Sequence, residues 1–196
     1  MKPSKTDIQS FWNWFSKHHT QIHSESISKE NFAVLDKTIS GWGLSWELSP
    51  GITTGNSLSI SGQGNRELSK IALQIVLAAP SIKDWEFFSF RQPKENWQHL
   101  KLPGNNIDID ASDWKYVLTK TGEGKLELVI QANNITGVKD ELQETVVQLV
   151  LINLLGEEKY ISDIYIYEIV EDLEDEFPTG ITSIQYLPER LNKLTR

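Results

Sequence analysis

The sequence predicts an α+β fold: a mainly antiparallel sheet of five to seven strands, with amphipathic helices packed largely on one face. Three observations lead to this class. Apolar residues recur at helical spacing near the N-terminus, apolar and polar residues alternate farther along, and the alternating segments follow one another as hairpins. No linker rich in Pro, Gly or Ser interrupts the 196 residues, so a single α+β domain spanning residues 1–196 is expected.

Two helices are predicted at the N-terminus. The first is capped by Thr6 or Asp7 and runs to about residue 22. Its large apolar side chains share one face, with Trp14 at the border of that face: Ile8, Phe11, Trp12, Phe15 and Ile22. The second helix is capped by Ser28 and ends at Gly41.

A hairpin, a helix and an aromatic strand are predicted next. Residues 44–49 and 57–61 alternate between an apolar face and a face of Ser side chains and Glu47. Asn65 caps a third helix that ends before Pro80. Residues 85–91 then form a predicted strand with aromatic side chains on both faces.

The second half of the chain repeats the alternation of strands and helices. It predicts a short strand at 107–109, a hairpin at 114–120 and 125–132, a helix at 140–155, a long strand at 160–170 and a last helical turn at 188–194. The helix is apolar nearly all round. It must therefore be buried on more than one side, by the sheet and by another helix or a partner subunit.

Composition excludes several classes of function. The formal net charge is −8 and the Lys and Arg residues are scattered, so nucleic acid is not an expected partner. The absence of Cys removes disulfides, thiolate nucleophiles and Cys-type zinc sites. The apolar runs are too short to cross a bilayer, which predicts a cytoplasmic protein without membrane contact. His18, His19 and His23 lack a third ligand at metal spacing, so no metal or other cofactor is predicted.

Seven sequence blocks, taken in order, resemble an uncharacterised family of bacterial cytoplasmic proteins. The blocks are Phe11-Trp12-x-Trp14-Phe15, Gly41-x-x-Leu44-x-Trp46-Glu47, Ala78-Ala79-Pro80, Asp84-Trp85-Glu86-Phe87, Arg91-x-Pro93-Lys94, Ile109-Asp110-x-Ser112-Asp113 and Leu154-Leu155-Gly156-Glu157. The resemblance covers about residues 7–170. It implies a single bacterial, cytoplasmic α+β domain, and it carries no catalytic or ligand assignment.

Carboxylates beside tryptophans keep one enzymatic interpretation open. Glu47 follows Trp46, and Glu86 follows Trp85. Burial beside an indole can raise the pKa of a carboxyl group, and paired carboxylates with indole faces suit a sugar-processing cleft. The alternative function is therefore a small carboxylate-dependent hydrolase or a sugar-binding protein. The simpler explanation is that an alternating strand buries each Trp and leaves each Glu in water.

The leading interpretation is a non-enzymatic protein-interaction module, of the inhibitor or immunity type. It rests on the sheet face opposite the apolar one, which is expected to be rich in hydroxyls and aromatics and to bind a basic protein. The predicted contact residues are Glu47, Trp85, Arg91, Tyr165 and Tyr167. The acidic run at residues 168–176 is compatible with a bound cation or a basic partner, but such runs are usually solvated, and that is the favoured interpretation. No catalytic residues are identified, and a homodimer is an open alternative.

Overall fold

The structure, a computed structural model, describes residues 2–23, 26–123 and 125–194. Within these residues the chain forms six α-helices and nine strands, and the strands make three small sheets of three, two and four strands. The α+β class is confirmed, but the prediction of one sheet of five to seven strands is wrong. The chain divides into two compact units, Met1–Gln92 and Pro93–Arg196, hereafter unit 1 and unit 2. That the whole chain forms a single domain stays a prediction.

Unit 1 contains three helices and one three-stranded sheet. Its elements are α1 (Lys5–His18), a 3₁₀ turn (His19–Gln21), α2 (Lys29–Gly41), β1 (Ser45–Pro50), β2 (Asn56–Ser61), α3 (Arg66–Leu77) and β3 (Trp85–Phe88). The sheet order is β1-β2-β3. β1 and β2 form the predicted antiparallel hairpin, whereas β3 pairs parallel to β2. A parallel neighbour needs a crossover connection, and α3 provides it.

Side-chain caps set the starts of the three helices of unit 1. Ser4 caps α1, not Thr6 or Asp7 as predicted, because Ser4 and Asp7 form a capping box in which each side chain accepts from the other residue's backbone N–H. Ser28 and Asn65 cap α2 and α3 as predicted. Local sequence therefore determines these helix starts to within a few residues.

The core of unit 1 is aromatic. Trp12 is 1% exposed and its indole N–H donates to the carbonyl of Ile75 at 2.8 Å. Edge-on ring contacts join Trp12 to Phe15 and Phe87. The remaining buried residues come from all three helices, from the sheet and from the connecting segments at Ile22 and Leu44: Phe11, Ile22, Leu35, Ile39, Leu44, Leu58, Ile60, Ala72, Ile75 and Trp85.

Unit 2 contains three helices and two sheets. Its elements are β4 (His99–Leu102), β5 (Ile107–Asp110), β6 (Lys115–Lys120), β7 (Leu126–Gln131), α4 (Asp140–Leu155), α5 (Glu157–Asp163), β8 (Ile166–Val170), β9 (Thr182–Ser183) and α6 (Leu187–Leu194), with 3₁₀ turns at Pro103–Asn105, Asn133–Ile135 and Ile184–Tyr186. β4 and β5 pair antiparallel, and the larger sheet has the order β8-β7-β6-β9. β8 pairs parallel to β7 after the α4–α5 crossover.

The predicted long strand at 160–170 is wrong in its first half. Gly156 ends α4 with φ 79°, a conformation that glycine adopts without steric cost. α5 follows at once, and the chain becomes a strand only at Ile166. In β8, exposed Ile166 and Glu168 alternate with half-buried Tyr167 and Ile169. Before β8, the local pattern is ambiguous between helix and strand.

The helix α4 is buried within unit 2. Six of its side chains belong to the main core of this unit: Val146, Val147, Val150, Leu151, Leu154 and Leu155. The same core contains side chains of β4 to β7 and of α6. Burial on more than one side is therefore confirmed, and residues of the same unit supply the cover, so the apolar character of α4 does not require a partner subunit.

In the part of the chain that the structure describes, no helix combines the length and the apolar character needed to cross a bilayer.

Candidate functional site

The polar face of the sheet in unit 1 differs from the predicted open surface. The register pairs Glu47 with Ser59, and Ser59 with Phe88, so these side chains share one face. On the central strand β2, however, Ser57, Ser59 and Ser61 are at most 5% exposed. Ser57 Oγ lies 3.1 Å from the carbonyl oxygen of Ser49 and donates within its own hairpin. The hydroxyl groups of the central strand are therefore buried and do not form a solvent-exposed surface.

Three of the predicted contact residues, Glu47, Trp85 and Arg91, belong to unit 1. Trp85 is only 8% exposed and packs edge-on against Phe15 with a centroid distance of 4.9 Å, so its side chain is part of the core. Its predicted surface position is wrong. Arg91 is half-buried and donates from Nη2 to Ser45 Oγ at 3.2 Å, which places it at the end of the hairpin that also carries Glu47.

The two predicted tyrosines belong to unit 2, so the five predicted residues do not share one sheet. Tyr167 is half-buried, and its hydroxyl donates to the carbonyl of Glu144 at 3.0 Å. Burial raises the pKa of this phenol, and nearby Tyr160 and Glu144 raise it further. The side chain of Tyr167 thus links β8 to α4 through a hydrogen bond. Tyr165 is 55% exposed, with Lys125 Nζ 4.1 Å from the centre of its ring.

Glu86 has a structural role that its neighbour Trp85 does not suggest. Its carboxylate accepts the hydroxyl of Thr53 and the backbone N–H groups of Ile52 and Thr53, at 2.5 and 3.1 Å for the two N–H bonds. The hydrogen bond from the Thr53 hydroxyl is the main reason that the pKa of Glu86 is lowered. A carboxyl group with a lowered pKa is poorly suited to act as a general acid near neutral pH.

The histidine cluster near the end of α1 contacts backbone. A ring nitrogen of His18 lies 2.8 Å from the carbonyl of Trp14, one of His19 lies 2.9 Å from that of Ser16, and one of His23 lies 3.0 Å from that of Thr20. A carbonyl only accepts, so in each case the ring nitrogen is the donor. Among the described residues, no group of three or more His, Cys, Asp or Glu side chains is arranged to hold a metal ion.

One edge of the larger sheet in unit 2 combines exposed apolar and acidic side chains. β8 is the terminal strand, and Tyr165 and Ile166 at its start are 55% and 54% exposed. Six acidic residues lie in this strand or follow it. Glu168 is in β8, and the others belong to the next segment, which packs Leu173 against Val117 of β6 and Val129 of β7: Glu171, Asp172, Glu174, Asp175 and Glu176. We call this set, with Tyr165 and Ile166, the β8 edge surface.

The acidic part of the β8 edge surface is anchored to unit 2. Leu173 lies in the middle of the acidic run, is fully buried and packs with Val117 and Val129. The Phe177 N–H donates to the Leu173 carbonyl at 2.7 Å, and the Glu174 N–H donates to Asp172 Oδ1 at 2.8 Å. The carboxylates therefore project from a folded segment, so they present a defined arrangement of negative charge.

A concave feature lies in unit 1, between α1 and α2. This aromatic pocket has a volume of about 290 Å³ and is lined by Phe11, Trp14 and Trp42, with Val34 and the polar residues Asp7, Ser10 and Thr38. Its signal in the sequence is Trp14 at the border of the apolar face of α1. Trp42 follows the end of α2, so the periodicity of that helix does not predict that Trp42 lines this pocket.

Comparison with known proteins identifies no relative of this chain: no family model matches it, and neither the curated proteins nor the solved structures contain a match. The resemblance to an uncharacterised bacterial family therefore stays a prediction.

Proposed function

We propose that this chain is a non-enzymatic protein-interaction module of the bacterial cytoplasm, of the inhibitor or immunity type, and that its β8 edge surface binds a basic protein. The observation that carries the proposal is the combination of exposed Tyr165 and Ile166 at the edge strand β8 with the anchored acidic segment that follows this strand. Aromatic and apolar side chains supply desolvated contact area, and the surrounding charges select the partner.

Geometry supports a protein partner for this surface. In the described residues, β8 pairs with β7 alone, so its other edge has backbone groups that an extended segment of a partner can pair with. Ile166 and Glu168 alternate along β8 with Tyr167 and Ile169, which pack toward the core of unit 2. A partner strand at this edge would therefore lie beside the side chain of Ile166 and the carboxylate of Glu168.

Charge supports a basic partner. The chain carries a formal net charge of −8, and six carboxylates fall within residues 168–176 without a Lys or Arg among them. Lys115 approaches one of them, Glu174, at 4.0 Å, and both side chains are largely exposed, so this pair neutralises little of the local field. Lys and Arg residues of a partner would be attracted over about one Debye length, roughly 8 Å at physiological salt.

The alternative, a carboxylate-dependent hydrolase or sugar-binding protein, stays a prediction, and one of its two candidate carboxylates does not fit it. It relied on a raised pKa at Glu47 or Glu86, and the pKa of Glu86 is lowered by its bonds to the loop at Ile52 and Thr53. The homodimer also stays a prediction, and the burial of α4 within unit 2 removes its original motive.

The experiment that tests the proposal is affinity capture from native extract with the wild-type chain and two matched variants. Ile166→Lys places a positive charge in the β8 edge surface, and Tyr186→Lys makes a comparable change at a side chain of nearly equal exposure, 53%, elsewhere in unit 2. We expect a stoichiometric basic partner that the Tyr186 variant retains and the Ile166 variant loses, and whose retention falls as salt rises. Equal capture by both variants, or capture that salt does not affect, would contradict the proposal.

A further inference from the structure

We propose that the aromatic pocket of unit 1 is a binding site for a guanidinium group, the arginine side chain of a protein partner. The pocket lies in a different unit from the β8 edge surface. Binding to the pocket can also be tested with a small probe, so the result of that test does not depend on the function proposed above.

The walls of the pocket suit a flat cation. The ring of Phe11, which is 4% exposed, lies 5.6 Å from the ring of Trp42 and 6.3 Å from that of Trp14, both half-buried. His18 stacks on Trp14 at 5.2 Å and holds that indole in place. Aromatic faces carry partial negative charge, and tryptophan attracts cations most strongly among the aromatic side chains.

Among the described residues that line the pocket, the rim supplies oxygen acceptors and no cation. Asp7 is the one charged residue that lines the pocket, and the hydroxyls of Ser10 and Thr38 lie on the two opposing helices. Both hydrogen bonds that Ser4 donates to Asp7 end on Oδ2, at 2.7 and 2.8 Å. The described residues donate no hydrogen bond to Asp7 Oδ1, which is therefore available to a ligand.

These features favour arginine over lysine. A guanidinium is planar and can stack on a ring while its five N–H groups point outward in the plane. Acceptors on α1 and on α2 can then be reached at the same time by different N–H groups. An ammonium is a compact and strongly hydrated charge, so it gains less from a ring face and cannot reach acceptors on both helices as well.

The direct test is a titration with N-acetyl-arginine N-methylamide, observed through the indole N–H resonances of the seven tryptophans. We expect saturable shifts at Trp14 and Trp42 and none at Trp114, which lies in unit 2. N-acetyl-lysine N-methylamide is expected to bind several-fold more weakly, and the uncharged isostere, N-acetyl-citrulline N-methylamide, not measurably. Citrulline binding as well as arginine, or shifts spread over all seven indoles, would overturn the inference.

Variants separate the pocket from general charge effects. Asp7→Asn is expected to weaken arginine binding about tenfold, the size expected for the loss of one charge-assisted hydrogen bond. Glu67→Gln removes the same charge from the first turn of another helix in unit 1 and is expected to change the affinity less than twofold. Thr38→Val keeps the size of the side chain and is expected to weaken binding several-fold without disturbing the capping box. If Asp7→Asn and Thr38→Val both bind arginine as the wild type does, the inference is wrong.

Discussion

The two units reach the same strand topology with different side chains. In unit 1, the hairpin β1–β2 is followed by α3 and by β3, which pairs parallel to β2. In unit 2, the hairpin β6–β7 is followed by α4 and α5 and by β8, which pairs parallel to β7. In each unit, the second strand of the hairpin therefore has a neighbour on both sides. A helical crossover brings the next strand to the edge of that second strand that the hairpin leaves unpaired.

The cores that support these similar sheets differ in chemistry. Unit 1 packs Phe11, Trp12 and Phe15 with Trp85 through edge-on ring contacts. The main core of unit 2 is largely aliphatic, and its buried aromatic side chains are Trp114 and Tyr116. Aliphatic side chains satisfy burial in many arrangements, but indole rings need specific partners and specific angles. The shared topology therefore depends on hairpins and crossovers, and the identity of the core residues decides how specifically each unit packs.

The largest expected effect comes from removing an indole of unit 1. Trp12→Ala should lower the free energy of unfolding by about 3–5 kcal/mol because it leaves a large cavity, and it also removes the donor to the Ile75 carbonyl. Leu151→Ala in α4 should cost about 2–5 kcal/mol, at the lower end because no polar atom loses its partner. Urea denaturation of both variants measures the difference. A smaller loss for Trp12→Ala than for Leu151→Ala would break the contrast between a specific and an adaptable core.

The second largest effect on stability is expected at the glycines in the connections that precede the crossover helices α3 and α4. A Cβ at Gly62, between β2 and α3, would lie 2.6 Å from Ser69 N and 2.8 Å from Asn65 O, which are backbone atoms of the first turn. Gly62→Ala should therefore cost about 1–3 kcal/mol through overpacking. A Cβ at Gly137, before α4, meets nothing within 4 Å, so Gly137→Ala should be neutral or slightly stabilising. Thermal unfolding of the two variants measures their stabilities, and a similar loss of stability in both would contradict the expected difference.

A smaller effect is expected at the caps of the crossover helices. The Asn65 side chain accepts from two backbone N–H groups at the start of α3, whereas Lys139 caps α4 without a side-chain bond. Asn65→Ala should cost about 1 kcal/mol, and Lys139→Ser should gain about 0.5 kcal/mol by supplying the missing acceptor. Both are measured by the midpoint of urea denaturation. A Lys139→Ser variant without any gain would show that the start of α4 is already satisfied.

The smallest effect is a dependence on acid. Hydrogen bonds from Thr53 lower the pKa of Glu86 in unit 1, and hydrogen bonds from Ser112 lower the pKa of Asp110 in unit 2. A lowered pKa means that the ionised carboxylate stabilises the folded state at pH values above the ordinary pKa, and that this stabilisation is lost as the pH falls through the folded-state pKa.

NMR titration of the side-chain carboxyls should therefore find both groups below their ordinary pKa values. Glu86→Gln and Asp110→Asn should each reduce the loss of stability on acidification. Unchanged acid sensitivity in either variant would show that the loop of that unit does not depend on its carboxylate.

Much of the local structure was predictable because it depends on short-range signals. The hairpins at Ser45–Ser61 and Lys115–Gln131 follow from alternation and turn residues, and the starts of α2 and α3 follow from Ser28 and Asn65. The sequence analysis missed that β3 pairs parallel to β2 and that β8 pairs parallel to β7. The residues of an edge strand do not indicate the direction of the strand beside it. β4 was also missed because it is short and lies in a segment that resembles a loop.

The candidate site was only partly predictable. Tyr165 is exposed beside an edge strand, but Trp85 is buried and Tyr167 is fastened to Glu144. Alternation along a strand shows which side chains share a face, and it does not show whether that face is covered. The serines of β2 illustrate this, since they look like a solvent face in the sequence and are buried in the structure.

The sequence by itself determined the α+β class, most helix starts and both hairpins, because caps, turns and periodicity act over a few residues. Only the tertiary structure decided that the strands form three sheets in two units and that the serines of β2 are buried. It also decided that Trp14 and Trp42 line one pocket with Asp7. These features depend on contacts between residues far apart in the chain, and their free energy comes from burial and packing that no local pattern encodes.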